Sequence, residues 1–290
     1  GFEVGGDKAF IIADVGSNHM QDIELAKESI DVAAKAGANA VKFQSIKLSE
    51  LYLNPNKRVS KFINKLEFPE NWHYELKKYA EKVGVTFFSS PTYLKAVEIL
   101  EDIDVTVYKL ASAQVGAFPQ IVDKVASLKK PVIFSTGLTT IEQIDKTVDK
   151  FKKFNNNKFI ILHCNSIYPT PAEKVNLNLI KQLSSIYSNP IGFSDHTIGT
   201  HACCAAIALG AKVIEKHFTL DRDFNSPDSN AFASDPKELI QLVKQIREVE
   251  QNLNSFSGRD KIEKEEQNFK NSISYKLVAA TVIEKGTKLN

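Results

Sequence analysis

Two histidines each close a short apolar run: His196 ends "PIGFSDH" and His217 ends "AKVIEKH", with Asp195 and Glu215 beside them. Imidazoles at strand ends are ligands for a divalent cation, and two rings leave positions on the ion open for a substrate oxygen, as Lewis-acid chemistry requires. A single histidine more often hydrogen-bonds backbone; two at successive strand ends favour a cation, with Glu215 or Asp195 orienting the rings. Two lysines, Lys42 and Lys109, lie inside other apolar runs, "NAVKFQ" and "VTVYKLA". A buried ammonium needs a negative partner, either a protein carboxylate or an anionic substrate. Ser90, Ser112, Ser135 and Ser194 add short hydroxyl donors at similar run ends. Lysines and serines together form a cradle for a phosphate plus a carboxylate. Lys216 is out of phase with Glu215 and His217, so it is expected on the opposite face, in a surface role.

The elements that must position these residues are legible in the alternation of the chain. Eight short runs rich in Val, Ile and Phe occupy 9–15, 39–44, 85–90, 105–111, 131–136, 159–164, 190–195 and 211–217. Their length and composition fit buried parallel strands. Between them lie amphipathic stretches. In the first, Asp22 caps a helix whose apolar face is Ile23, Ala26, Ile30 and Ala33, and Gly37 supplies the left-handed stop. Eight strand–helix units in order predict an α/β fold, a (β/α)8 TIM barrel, whose polar strand ends gather at one mouth. An open doubly wound sheet is the alternative, but the first strand leads into "VGSNHMQD" without a G-x-G-x-x-G loop. Residues 47–71 form a long excursion after the second strand, read as a rim or lid segment.

Composition narrows the function classes. A net charge of +2 spread along 290 residues does not make the clustered basic face that nucleic acid requires. No apolar run reaches membrane-spanning length, and the first residues lack a signal-peptide pattern. The three cysteines, Cys164, Cys203 and Cys204, show no CxxC spacing and read as reduced thiols of a cytoplasmic protein. Residues 1–250 are assigned to the barrel and 251–274 to a polar linker or helix. Residues 275–290 resume a strand pattern, "YKLVAATVIEKGTKLN", and read as the start of a further domain.

The segments "IIADVGSNH", "AGANAVKFQ", "FFSSP", "YKLAS", "KPVIFSTG", "LHCNSIYPTP", "GFSDHTIG" and "ALGAKVIEKHFTLDRDFNSPDS" resemble the sialic acid synthase family, which includes N-acetylneuraminate, legionaminate and pseudaminate synthases. The resemblance spans roughly residues 9–250. It implies a metal-dependent condensation of phosphoenolpyruvate with an N-acylated amino-sugar aldehyde, with release of phosphate. It implies Mn2+ or Mg2+ at His196 and His217. Lys42, Ser90, Lys109, Ser112, Ser135, Ser166 and Ser194 match positions that hold phosphoenolpyruvate. Gln44, Tyr168 and Asp228 match positions that touch the sugar. Asp14 and Gln114 stand where the family's catalytic acidic residues stand. The family usually carries glutamate at the first and an acidic residue at the second, so Asp14 is left as the base and Gln114 can only orient water. The resemblance further implies a homodimer and assigns 275–290 to the start of an antifreeze-like domain. A Schiff-base aldolase on the same barrel and a non-catalytic binder of phosphoenolpyruvate or sugar are the alternatives.

Overall fold

The computed structural model describes residues 4–224, 226–254 and 260–288. The chain divides into two units, Gly1–Leu253 and Asn254–Asn290. In the first unit eight parallel strands follow one another: β1 (Phe10–Gly16), β2 (Ala40–Ser45), β3 (Thr86–Pro91), β4 (Tyr108–Leu110), β5 (Val132–Ser135), β6 (Phe159–Cys164), β7 (Ile191–Asp195) and β8 (Val213–His217). Their order, β3-β2-β1-β8-β7-β6-β5-β4, is that of a (β/α)8 barrel, with β3 beside β4 at a seam that carries no hydrogen-bonded ladder. Every expected run overlaps its strand: β1, β2 and β3 extend one residue past the expected end, to Gly16, Ser45 and Pro91, and β4 is the most shortened, three residues out of seven.

Alternation along the strands separates two cores. Inward-facing Phe10, Ile12, Ala40, Phe88, Ile133, Leu162 and Val213 fill the lower barrel. The outward residues, among them Ile11, Val41, Phe87, Phe134, Ile161, Phe193 and Ile214, pack beneath the surrounding helices. Helix Ile23–Ala36 shows why the covering layer forms: Asp22 accepts from Glu24 N, Gly37 turns left-handed at φ 89°, and Ala26, Ile30 and Ala33 are buried. The excursion after β2 forms two short helices, Leu48–Leu51 and Lys57–Ile63, before helix Trp72–Val83. No helix among the described residues is long and apolar enough to cross a membrane.

In the second unit, helix Lys264–Ser272 falls within the stretch read as linker or helix. Residues 275–288 form no strand, and Tyr275, Leu277, Val278 and Val282 are exposed. A strand pattern is not a strand until its backbone finds a neighbour to pair with.

Two positions test this architecture. Gly192 faces into the barrel on β7, and a Cβ there would stand 2.5 Å from Leu162 Cδ2 and 2.6 Å from the Val213 carbonyl. Gly192→Ala is expected to lower the thermal midpoint by several degrees, on the order of 1–3 kcal/mol; an unchanged midpoint would contradict the interior packing. Outside the barrel, His73 Nε2 bonds Ser45 Oγ at 2.7 Å, and Ser45 bonds Ser89 at 2.8 Å. Burial lowers the His73 pKa to about 4 from 6.5. The unfolded chain therefore takes up this proton first, and stability is lost as pH falls from about 6.5 towards 4, by on the order of 3 kcal/mol. A denaturation series over that range should show a flatter loss for His73→Gln than for the parent; parallel curves would refute it.

Candidate active site

The inward positions change character at the upper ends of the strands. Strand register brings them level: Asp14 lies opposite Lys42 on one side and His217 on the other, Gln44 opposite Ser90, Cys164 opposite Ser194, and Ser194 opposite Glu215. These side chains line a cavity of about 360 Å3 at the carboxyl mouth of the barrel. Its wall includes Asp14, Lys42, Gln44, Ser90, Lys109, Ser112, Gln114, Ser135, Ser166, Tyr168, Ser194, His196 and His217. Asp228 is not in the wall. Its carboxylate accepts from the backbone N–H and hydroxyl of Ser17 at 2.8 and 2.6 Å, and its other oxygen lies 3.9 Å from His217 Nδ1. A larger cavity, about 470 Å3, opens at the opposite mouth among Val4, Phe10, Val107, Ile133 and Ile160. Among the described residues its wall holds no acid, histidine or cysteine.

Four charged side chains form a buried chain across the mouth. Lys42 Nζ is 2.7 Å from Asp14 Oδ2 and 3.6 Å from Glu215 Oε2. Lys109 Nζ is 3.3 Å from Glu215 Oε1 and donates to Ser135 Oγ at 2.8 Å. Ser194 Oγ donates to Glu215 Oε1 at 2.9 Å. The lysines' negative partners are therefore protein carboxylates. Burial would raise the pKa of Glu215, but Lys109 and Lys42 outweigh it and hold it at about 2. Burial lifts Asp14 above the ordinary carboxylate range, with Lys42 and His217 pulling it partly back. Lys42 is disfavoured by burial yet raised overall, because it answers to Glu215 as well as Asp14. Burial lowers Lys109, and Glu215 restores only part of the difference.

The two histidines meet. Their ring centroids are 5.3 Å apart, Tyr168 lies 4.1 Å from His196, and Phe232 stands edge-on to His217 at 5.1 Å. The Nδ1–H of His196 donates to the Asn165 carbonyl at 2.7 Å, which leaves Nε2 free to coordinate. Burial, then His217, lowers its pKa to about 3, so it stays neutral as a ligand must. His217 Nδ1 is buried without a hydrogen-bond partner among the described residues. Among the described residues no three His, Cys, Asp or Glu side chains form a complete metal cluster. This donor set fits a divalent ion held by two imidazoles, with its remaining positions open to oxygen ligands.

Other polar strand-end residues turn elsewhere. Asn18 bonds the carbonyls of Phe218 and Asp228, His163 bonds the Val175 carbonyl, and His19 packs among Phe43, Phe68 and Trp72. Lys216 corrects an expectation: it does face away from the cavity, but it is 1% exposed rather than on the surface. Glu215 sits at the centre of the site, between the lysines, rather than beside the rings as an orienter. Phe232 carries no signal in the sequence, since it lies in a loop without periodicity, and Gly137 is marked there only as the last residue of the family-like segment "KPVIFSTG".

These features have counterparts in known proteins. The NeuB family profile matches residues 29–257. The chain belongs to the NeuB family. It is 35% identical over 294 residues to N,N'-diacetyllegionaminic acid synthase of Campylobacter jejuni, covering 96% of this chain and 87% of that one. An uncharacterised protein of Methanocaldococcus jannaschii is 45% identical over 250 residues, 86% of this chain and 73% of its own length. The crystal structure of the N-acetylneuraminic acid synthetase from Leptospira borgpetersenii, in complex with citrate, superposes with a TM-score of 0.84 at 35% identity, covering 94% of this chain and 95% of that one. This NeuB chain is thus an enzyme of a family whose named relatives are synthases.

Four buried polar atoms of residues lining the cavity, Ser90 Oγ, Gln114 Oε1, Glu215 Oε2 and His217 Nδ1, have no hydrogen-bond partner among the described residues. Orphaned atoms converging on one cavity are what a polar ligand satisfies. A Cβ on Gly137 would stand 2.3 Å from Ser166 Oγ and 2.7 Å from Ser112 Oγ, invading that space. Gly137→Ala is expected to weaken calorimetric binding of inorganic phosphate by roughly tenfold, about 1.4 kcal/mol, while the protein stays folded. Equal affinity would contradict the expectation that Ser112 and Ser166 hold an anion.

Proposed function

We propose that this enzyme condenses phosphoenolpyruvate with an N-acylated amino-sugar aldehyde, N-acetylmannosamine or a related hexose, to give a nonulosonic acid and phosphate, with Mn2+ or Mg2+ at His196 and His217. The observation that carries this reading is the pairing of two ammonium groups with two facing imidazoles in one cavity. Phosphoenolpyruvate brings a phosphate and a carboxylate, and the amino sugar brings a carbonyl. Lys42 and Lys109 answer the two anions, with hydroxyl donors from Ser90, Ser112, Ser135, Ser166 and Ser194. Gln44, Tyr168 and Asp228 are assigned to the sugar. A divalent ion bound at the histidines supplies polarisation of the aldehyde oxygen.

The enolic C3 then attacks the aldehyde carbon, whose oxygen takes up a proton to become a hydroxyl. Water adds at C2, and the C2–O bond breaks to release phosphate and leave the ketone. Asp14 is assigned as the base for that water, its raised pKa suiting it to accept a proton. Gln114 presents an amide that orients the water and takes no proton. Three free thiols, Cys164, Cys203 and Cys204, accord with a reducing cytoplasm. We assign the enzyme to that compartment and, from the family resemblance, to a homodimer. Residues 275–290 remain assigned to the start of an antifreeze-like domain.

One observation favours a second reading: the lowered pKa of Lys109 is the state a Schiff-base lysine requires. Two assays together separate the readings. Phosphate release from phosphoenolpyruvate should require both Mn2+ and an amino-sugar aldehyde and should fall by about a hundredfold or more in His196→Ala. Borohydride should trap no adduct on Lys42 or Lys109. Metal-independent turnover with a trapped adduct on Lys109 would replace the synthase reading with the aldolase.

A further inference from the structure

The outward faces of β7 and β8 are apolar along most of their length, with Phe193 opposite Ile214. The last rung breaks that rule. Asp195 lies opposite Lys216, and both are buried, 0% and 1% exposed. The Lys216 ammonium is 2.8 Å from Asp195 Oδ2 and also donates to the Thr197 carbonyl. The other carboxylate oxygen of Asp195 accepts from Thr197 N at 2.8 Å, closing a turn around the residue between them. Cys203 Sγ donates to the same carboxylate at 3.2 Å. The residue between Asp195 and Thr197 is His196, and the residue after Lys216 is His217. One ammonium therefore holds the residues on both sides of one cavity histidine, the Asp195 carboxylate and the Thr197 carbonyl, from the position adjoining the other.

A buried ion pair is a poor source of stability here. Well-packed apolar residues of similar volume commonly do as well or better, as they do one rung further in. What an ion pair with fixed partners supplies is register. A slip of one residue between β7 and β8 would turn one imidazole out of the cavity. The pair is also neutral overall, so it fixes the rings without adding net charge beside them.

We propose that Asp195 and Lys216 act as a positioning staple that sets the separation and aim of His196 and His217, and so the affinity of the site for a divalent cation. This rests on the metal-site reading above, and the test separates the two. The 290-residue parent would be compared with the double variant Asp195→Asn/Lys216→Met. That variant removes both charges, while the amide oxygen of the new side chain can still accept from Thr197 N. Both proteins would be titrated with Mn2+ by electron paramagnetic resonance of the free ion, alongside their thermal midpoints. The expected result is binding weakened by about tenfold to a hundredfold, and crystal structures of the metal-free proteins with the two imidazoles displaced relative to one another in the variant. Cys203→Ala, which leaves the ammonium in place, should bind Mn2+ like the parent. Should the double variant not fold, Asp195→Asn alone carries the same expectation at the lower end of the range. A lower midpoint with unchanged Mn2+ affinity and unchanged ring separation would overturn the staple and leave an ordinary structural pair. If the parent binds no Mn2+, the metal reading fails, and ring separation alone decides the staple.

Discussion

Glu215 stands between Lys42 and Lys109 inside a barrel that is otherwise apolar below it. Two ammonium groups facing one cavity without a carboxylate between them would repel each other and lose their hydration with nothing in return. With Glu215 and Asp14 in place, four charges form a neutral chain, and both cations stay in reach of an incoming anion. Burial and charge pull Glu215 in opposite directions, and charge wins. The proposed anion cradle, the proposed base Asp14 and the imidazole two residues further along β8 all sit around this compensated charge.

The strands convert that chemistry into geometry. Inward positions on β8 run Val213, Glu215, His217, from apolar plug to ion pair to imidazole, at two-residue steps. β1 repeats the sequence with Phe10, Ile12 and Asp14, and β2 with Ala40, Lys42 and Gln44. Each strand thus carries its own part of a floor and a ceiling. The floor excludes water from beneath the charges, which strengthens the ionic contacts above it. The loops complete the mouth: Asn18 and Ser17 of the β1 loop hold the loop that carries Asp228, and Phe232 from the same region packs against both rings.

What can be read from the chain alone follows from periodicity. A two-residue alternation is visible in any strand, so the inward placement of Lys42 with Gln44, and of Glu215 with His217, is legible there. The outer surface of the barrel is not. Alternation places Lys216 correctly on the outward face, but its burial depends on neighbours from the chain around Thr197 and on helix His201–Ala208, which carries Cys203. The sequence leaves the partners of the lysines undecided between substrate and protein, because the choice turns on which carboxylates share a rung, a matter of register. Gly137 and Phe232 lie in loops, where the path of the backbone leaves no repeating trace. The strand pattern near Tyr275 is the converse case: local propensity is present, but a strand forms only against a partner.

The central claim is that the imidazoles of His196, just past β7, and His217, the last residue of β8, share one cation above a lysine-lined anion cradle. The most direct measurement is an anomalous difference map from crystals of this protein soaked in Mn2+. A single strong peak within coordination distance of both His196 and His217, on the cavity side of the rings, is the result the account predicts. A peak elsewhere, or none beside these histidines at full occupancy of other sites, would contradict it.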